Sequence, residues 1–346
     1  MNMQRRSLFV LSFAFLLSFL ISLEAGAVST KVWRETSQQY FLKGHPDGVA
    51  VTSRGTFLLA PALEEVVDCE EPFLWSLAVA PDGSVILGTG SNGKVMRWRP
   101  GGKPEELAVF KELEVFAVAA AGDDVYAATS PHGKIYRIPP GGKPEVYFEP
   151  KEVEYIWALL PGKNGVLYAG TGSGGEIYKI AGKGEGAVFF DSQEPNILCL
   201  TADGRGGLYA GSDGNGLIFH VSEDGKASVV YDAPLREVRQ IALGENGALI
   251  AVLNSGPAVV PAPPAKKEKT TVSTGADVSL DEQDSGEGSS VTITVTPESS
   301  GATTEEKKGR IVLIQPESGG IQTLYESQDG LIFSMILLPD HKTILA

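Results

Sequence analysis

The stretch that decides the fold is GTGSNGKV, residues 88–95. Gly88, four residues, then Gly93 and Lys94 match the G-x-x-x-x-G-K of a phosphate-binding loop, which continues with Ser or Thr to hold magnesium. Here Val95 follows. The stretch also returns, as GTGSNGKVMRW (88–98), AATSPHGKIYRI (127–138), AGTGSGGEIYKI (169–180) and AGSDGNGLIFHV (210–221). After the last glycine of each copy, Gly93, Gly133, Gly175 and Gly216, stand Lys94, Lys134, Glu176 and Leu217. A phosphate site needs the lysine's charge, and two copies lack it. The stretch therefore reads as a turn between strands, with glycine required for a positive φ.

A second marker fixes the period. Trp75, Phe116, Trp157, Leu198 and Arg239 each stand 41 residues after the one before, near the start of an apolar strand. A period near 40 with four short strands per unit predicts an all-β fold, a β-propeller with one four-stranded blade per repeat. In the first blade, strand A is LWSLAVA (74–80), B is SVILG (84–88), C is KVMRW (94–98) and D is EELAVF (105–110). Pro81-Asp82-Gly83 turns A into B, and the PGGKPE before strand D recurs at 140–145. The residues after the anchors, Ser76, Ala117, Ala158, Cys199 and Gln240, are mostly small, as crowded inner strands require. Cys199 reads as a small core residue, and a disulfide to Cys69, three blades away, is not expected.

The repeat breaks once. Between GALIAVL (247–253) and GRIVLI (309–314) lie residues 257–308, with PAPPAKKEK and DEQDSGEGSS. Such composition cannot bury enough apolar area to fold alone, so a disordered insertion in a B–C turn is expected. Its VTITVT patch (291–296) could add a strand to an exposed edge. Arg239 to Phe333 is 94 residues, one repeat of 41 plus 53. The final LIFSMILLPDHKTILA (331–346) matches strand A, turn and strand B, and GTFLLAPALEEVVD (55–68) reads as a C–D hairpin. Joining them gives six blades, five complete and one shared. Two alternatives stand: an N-terminal fragment of a longer propeller protein, and an A–B hairpin over 47–60.

Composition sets the compartment and excludes one partner class. Arg5 and Arg6, the apolar run Ser7 to Leu23 and Ala25-Gly26-Ala27 predict a signal peptide over 1–27, hence a periplasmic or extracellular protein. A retained membrane anchor is the alternative; after cleavage no membrane contact is expected. Residues 28–46 form a lead-in, and the blades occupy 47–256 and 309–346. With a net charge of −14 and no basic stripe, the chain is not expected to bind nucleic acid.

The assembled blades resemble those of exported, WD-repeat-like bacterial β-propellers carrying W-A-L-A…D-G-x-L-Y-x-G-T-G…G-K-I-Y-R-I. The matching residues are Trp157-Ala158-Leu159, Gly165 to Tyr168, Gly170-Thr171-Gly172 and Gly175 to Ile180. Glu70-Glu71-Pro72-Phe73-Leu74-Trp75 is similar to a segment of the gluconolactonase and sugar-lactone lactonase propellers, which hold a central divalent metal. That resemblance implies Glu71, with Asn196 at a comparable strand start, as metal ligands.

Candidate chemistry lies on the face carrying the D–A and B–C connections, which is rich in carboxylates. Glu112, Glu154, Glu194 and Asp329 are candidate ligand-binding residues there, with Tyr155 as a stacking residue. Such carboxylates could hold Ca²⁺ or another divalent metal, or attract a basic partner; otherwise no cofactor is expected. Trp75, Phe116 and Trp157 recur at one position and are expected to pack between blades. The four histidines show no metal spacing, and no nucleophile elbow is present. The favoured reading is a non-enzymatic module binding a protein or small molecule on the acidic face. A metal-dependent hydrolase of the lactonase type is the second.

Overall fold

A computed structural model describes residues 48–51, 57–59, 64–255, 308–327, 330–338 and 344–346. The signal peptide, the lead-in, residues 257–307 of the insertion with the VTITVT patch, Asp329, His45 and His341 lie outside the described residues. The chain forms two units, divided after Glu64. The first contains one hairpin, β1 (Val49–Val51) against β2 (Phe57–Leu59). Of the two hairpins the sequence allowed, this pairing falls within 47–60 and corrects the one at 55–68: β2 pairs backwards with β1, and residues 64–71 form no strand.

The second unit is built of four-stranded antiparallel sheets, each called a blade. They are β3 (Phe73–Val79) to β6 (Glu105–Val109), β7 (Glu114–Ala121) to β10 (Glu145–Phe148), and β11 (Ile156–Pro161) to β14 (Glu185–Asp191). The fourth runs β15 (Asn196–Ala202), β16 (Leu208–Asp213), β17 (Leu217–Val221), β18 (Ala227–Asp232). The fifth runs β19 (Glu237–Leu243), β20 (Leu249–Asn254), β21 (Gly309–Gln315), β22 (Gly320–Ser327). The fourth and fifth merge into one eight-stranded sheet through a single pair, Asp213 opposite Glu237. A short pair, β23 (Ile336–Leu337) and β24 (Ile344–Leu345), follows. The first strands of successive blades neighbour one another, β3 with β7, β7 with β11, β11 with β15 and β15 with β19. This is the inner wall of a propeller-like arrangement.

β20 and β21 pair over their full length across the insertion, and Ser255 N donates to Lys308 O at 3.0 Å where the two strands part. The core lies between blades. Ile86 and Val95 of the first pack against Val115 and Val125 of the second; Ile177 of the third meets Ile197 and Phe219 of the fourth. Second strands are covered on both faces, so they read as near-continuous small and apolar runs. Each fully buried isoleucine contributes about 2–3 kcal/mol. Both cysteines are free and buried. Among the described residues no helix is long and apolar enough to cross a membrane.

The glycine turns have a cause beyond dihedral freedom. Gly93, Gly175 and Gly216 take φ of 60°, 61° and 69°, but Gly133 does not; in that copy His132 takes φ 77°. All four share a steric constraint: a Cβ would overlap a carbonyl of the chain running into the next blade. Gly175→Ala is therefore expected to cost about 2–3 kcal/mol more in urea unfolding than Gly101→Ala. Gly101 also has positive φ, but a Cβ there meets nothing within 4 Å, so about 1 kcal/mol is expected for it. Equal losses would contradict the steric account.

Candidate functional site

Two positions recur at the period of the repeat near the start of each first strand. One is the anchor, Trp75, Phe116, Trp157, Leu198, Arg239. The other lies two residues earlier: Phe73, Glu114, Tyr155, Asn196, Glu237. An indole can bond across blades. Trp75 Nε1 donates to the Glu114 carboxylate, and Trp157 Nε1 to Asn196 Oδ1 at 3.0 Å. Gly90 and Gly172 leave room for the rings, since a Cβ at either would strike the indole nitrogen. Phe73, Trp75, Phe116, Trp157 and Tyr155 form a continuous arc of rings with successive centroids 4.9–5.8 Å apart.

The pattern changes at the fourth and fifth blades. Leu198 stands where an indole would donate to Glu237, and the fifth anchor is Arg239. Glu237 is 2 % exposed. It is flanked by Asn254, its register partner, and by Asp213 across the single pair that joins the blades. Asp213 is 9 % exposed; its Oδ2 accepts from Asn196 Nδ2 at 3.2 Å, while its Oδ1 has no hydrogen-bond partner. Asn254 is held by Ile332, accepting from its N–H and donating to its carbonyl, both at 3.0 Å. Arg239 Nη1 lies 3.9 Å from Glu237 Oε1. Burial pushes the Glu237 carboxyl up to about 7; Arg239 pulls the other way, and Asp213 pushes further up.

Glu237, Arg239 and Asn254 line part of a central cavity of 500 Å³, with Asp213 behind them; Trp75, Phe116 and Trp157 also line it. The three rings pack on one another between blades, as expected, and are half-buried, so each also presents a face to the cavity.

The residues singled out in the sequence lie elsewhere, and most are engaged. Glu71 accepts from Lys94 Nζ and Asn92 Nδ2, both at 2.6 Å. Glu112 accepts from Lys134 Nζ at 3.0 Å and from the Tyr136 hydroxyl at 3.3 Å. Glu194 accepts from Asn215 Nδ2 at 2.6 Å and Asn215 N at 2.8 Å. Each braces the B–C turn of its own blade. Burial opposes ionisation of Glu71 and Glu112, but their donors outweigh it and hold both carboxyls below the ordinary range. The lysines of the apparent phosphate loops are thus ion-paired to these connections. Glu112 and Glu194 are buried, so they are not part of a solvated rim; Glu154 remains exposed. Tyr155 stacks on Trp157, with centroids 5.1 Å apart and planes at 12°. Asp329 lies outside the described residues.

The implied metal role fails on donor chemistry. Both oxygens of Glu71 bind Asn92 and Lys94. Asn196 bridges Trp157 and Asp213 instead of presenting a free oxygen. Among the described residues no group of three His, Cys, Asp or Glu could hold a metal ion. Sequence reading missed Glu237, Asp213 and Asn254 as a cluster. The available signal was Arg239, a cation at a position otherwise apolar.

No family model and no curated protein matches the chain. Solved structures do. A streptogramin B lyase aligns with TM-score 0.51 at 17 % identity, covering 75 % of this chain and 86 % of that one. Two structures of virginiamycin B lyase from Staphylococcus aureus, the second a catalytically inactive form with quinupristin, align with TM-scores 0.47 and 0.50 at 18 % and 19 % identity. They cover 52 % and 55 % of this chain, which spans 62 % and 67 % of theirs. A gluconolactonase from Xanthomonas campestris aligns with TM-score 0.45 at 14 % identity, covering 59 % of this chain and 74 % of that one. The likeness is one of fold, a distant relation among propeller proteins.

Glu237 has a consequence for stability. The native state keeps its proton up to about pH 7, whereas the unfolded chain releases it near the ordinary glutamate value. The native state therefore binds more protons between those values, and this group lowers stability as pH rises through the window. The shift corresponds to about 3 kcal/mol. Compared with wild type, Glu237→Gln is expected to gain stability from pH 5 to pH 8 in parallel urea melts. A constant difference would contradict the burial of this acid.

Proposed function

We propose that this protein is an enzyme acting on a small molecule in its central cavity, with Glu237 as the group that gives and takes a proton. One observation carries the reading: a buried carboxyl poised near neutrality on the wall of a cavity that Trp75, Phe116 and Trp157 also line. A general acid or base works best with a pKa near the working pH, and desolvation is the usual means of raising a carboxyl to it. Hydrolysis and elimination are the reaction classes such a group serves. Asp213 acts as a positioning residue behind Glu237, and Asn254, fixed by Ile332, orients it. The lyases that share the fold at TM-scores of 0.50 and 0.51 support a scaffold that hosts small-molecule chemistry, and contribute nothing on substrate. The rim-binding reading is weaker because Glu112 and Glu194 are bonded within their own blades.

The ring proposed around this cavity has six blades. The 41-residue period supports five full blades, with the β23–β24 pair as the start of a sixth. Export remains part of the proposal, resting on the N-terminal sequence.

The test of activity is a panel of lactones and activated esters assayed from pH 5 to 9. Turnover should show a limb near pH 7 and fall at least about 100-fold in Glu237→Gln. Turnover unaffected by that change, or none across the panel, would count against the enzyme and favour a binding module.

A further inference from the structure

We infer that the central cavity takes a small carboxylate carrying an apolar ring, the carboxylate held by Arg239 and the ring laid on Trp75, Phe116 and Trp157. The inference rests on the cavity being the working site and adds the class of its ligand.

Charge is the first argument. Among the described residues lining the cavity only Glu237 and Arg239 carry ionisable charge. The two are not well paired. Their closest approach is 3.9 Å, beyond hydrogen-bond reach, and no other ion-pair partner of Arg239 is found among the described residues. Burial also favours the neutral form of Glu237, so its compensation of Arg239 is incomplete. A guanidinium has five N–H donors in a planar fork that matches a carboxylate bidentately. The Arg239 side chain is 31 % exposed, so it is open to a ligand yet partly shielded from water.

Position is the second argument. Arg239 occupies the anchor position of the fifth blade, where the first three blades place the aromatic wall. The repeat therefore aims the guanidinium and the rings at the same space. The three rings tilt by 39–50° from one another and offer a curved apolar surface. Leu74, Phe333 and Ile336 extend that apolar lining. An aromatic wall beside a carboxyl would otherwise suit a cation. Here a cation would meet the Arg239 guanidinium, which Glu237 compensates only from 3.9 Å, so an anion fits the electrostatics better.

The test uses the full chain and tryptophan fluorescence, since Trp75 and Trp157 report on the site. Phenylacetate, phenylacetamide, phenethylamine and acetate are titrated against wild type, Arg239→Gln, Arg239→Lys and Glu237→Gln. In wild type, phenylacetate should bind at least about tenfold tighter than the amide or the amine, and acetate should not saturate. Arg239→Gln should bring acid and amide within about twofold, with circular dichroism and Tm unchanged, and Arg239→Lys should restore part of the preference. A preference for the amine, a carboxylate preference surviving Arg239→Gln, or no saturable binding of phenylacetate at millimolar concentration would overturn the inference. Glu237→Gln separates the two readings. If it abolishes turnover while wild type shows no carboxylate preference, the enzyme reading stands and this inference falls. If the preference persists in Glu237→Gln and turnover does not change, the reverse holds.

Discussion

One backbone contact, repeated between successive blades, sets the geometry on which the rest depends. The B–C turn of each of the first four blades donates an N–H to the carbonyl of the chain entering the next blade. The bonds are Gly93 to Leu113 at 2.8 Å, Gly133 to Glu154 at 3.1 Å, Gly174 to Pro195 at 3.0 Å and Gly214 to Arg236 at 3.1 Å. A neutral hydrogen bond of this kind contributes only about 1 kcal/mol. Its larger effect is geometric: it fixes where the next first strand begins, and leaves no room for a side chain on the turn. Glycine follows from that approach, whether φ is positive, as at Gly93, or not, as at Gly133. Glu71, Glu112 and Glu194 brace the same junction from the side.

Once the first strands are placed, the anchor of each blade lines the same cavity. Repetition then makes a wall, and departure from it makes a site. Trp75 and Trp157 saturate the acceptors of the following blades. Leu198 cannot, so Glu237 receives no indole and accepts instead from the Asn254 side chain of its own blade, beside an Asp213 oxygen that has no partner. Ser76 and Cys199 reach one carbonyl of the next blade, at Val115 and Val238. Gln240 makes a two-way bond with Met335 at 2.8 and 2.7 Å, tying the segment 330–338 to the fifth blade. Stability and site are therefore set by the same periodic positions, and differ only in whether each polar group finds its partner.

The repeat, the blade plan, the anchor residues and the insertion point were legible in the sequence because each is a local pattern recurring at a fixed interval. The site was legible only in part. Glu112 and Glu237 look alike as acids in D–A connections; what separates them is Lys134 at the turn in one blade and Leu198 one blade earlier in the other. Burial of a charge depends on such distant partners, and periodicity does not report them. The hairpin at 49–59 was legible only as one of two alternatives, 47–60 or 55–68, for a related reason: with no glycine turn of the repeating type, its strands had no marker to fix their register. Trp75, Phe116 and Trp157 were read as packing residues because recurrence implies a structural role, whereas on an inner strand the same residues also face the cavity.

The most direct test of the account is amide hydrogen exchange at Gly93, Gly133, Gly174 and Gly214 under native conditions. These are turn residues, for which rapid exchange is the ordinary expectation. If the turns are bonded to the chain entering the next blade, all four amides should exchange as slowly as the core strand amides at Ile86, Ile135 and Ile177, with opening free energies near the global value. Exchange at the rate of an exposed loop at these four positions, with the strands still protected, would contradict the constraint that places every first strand and the cavity they surround.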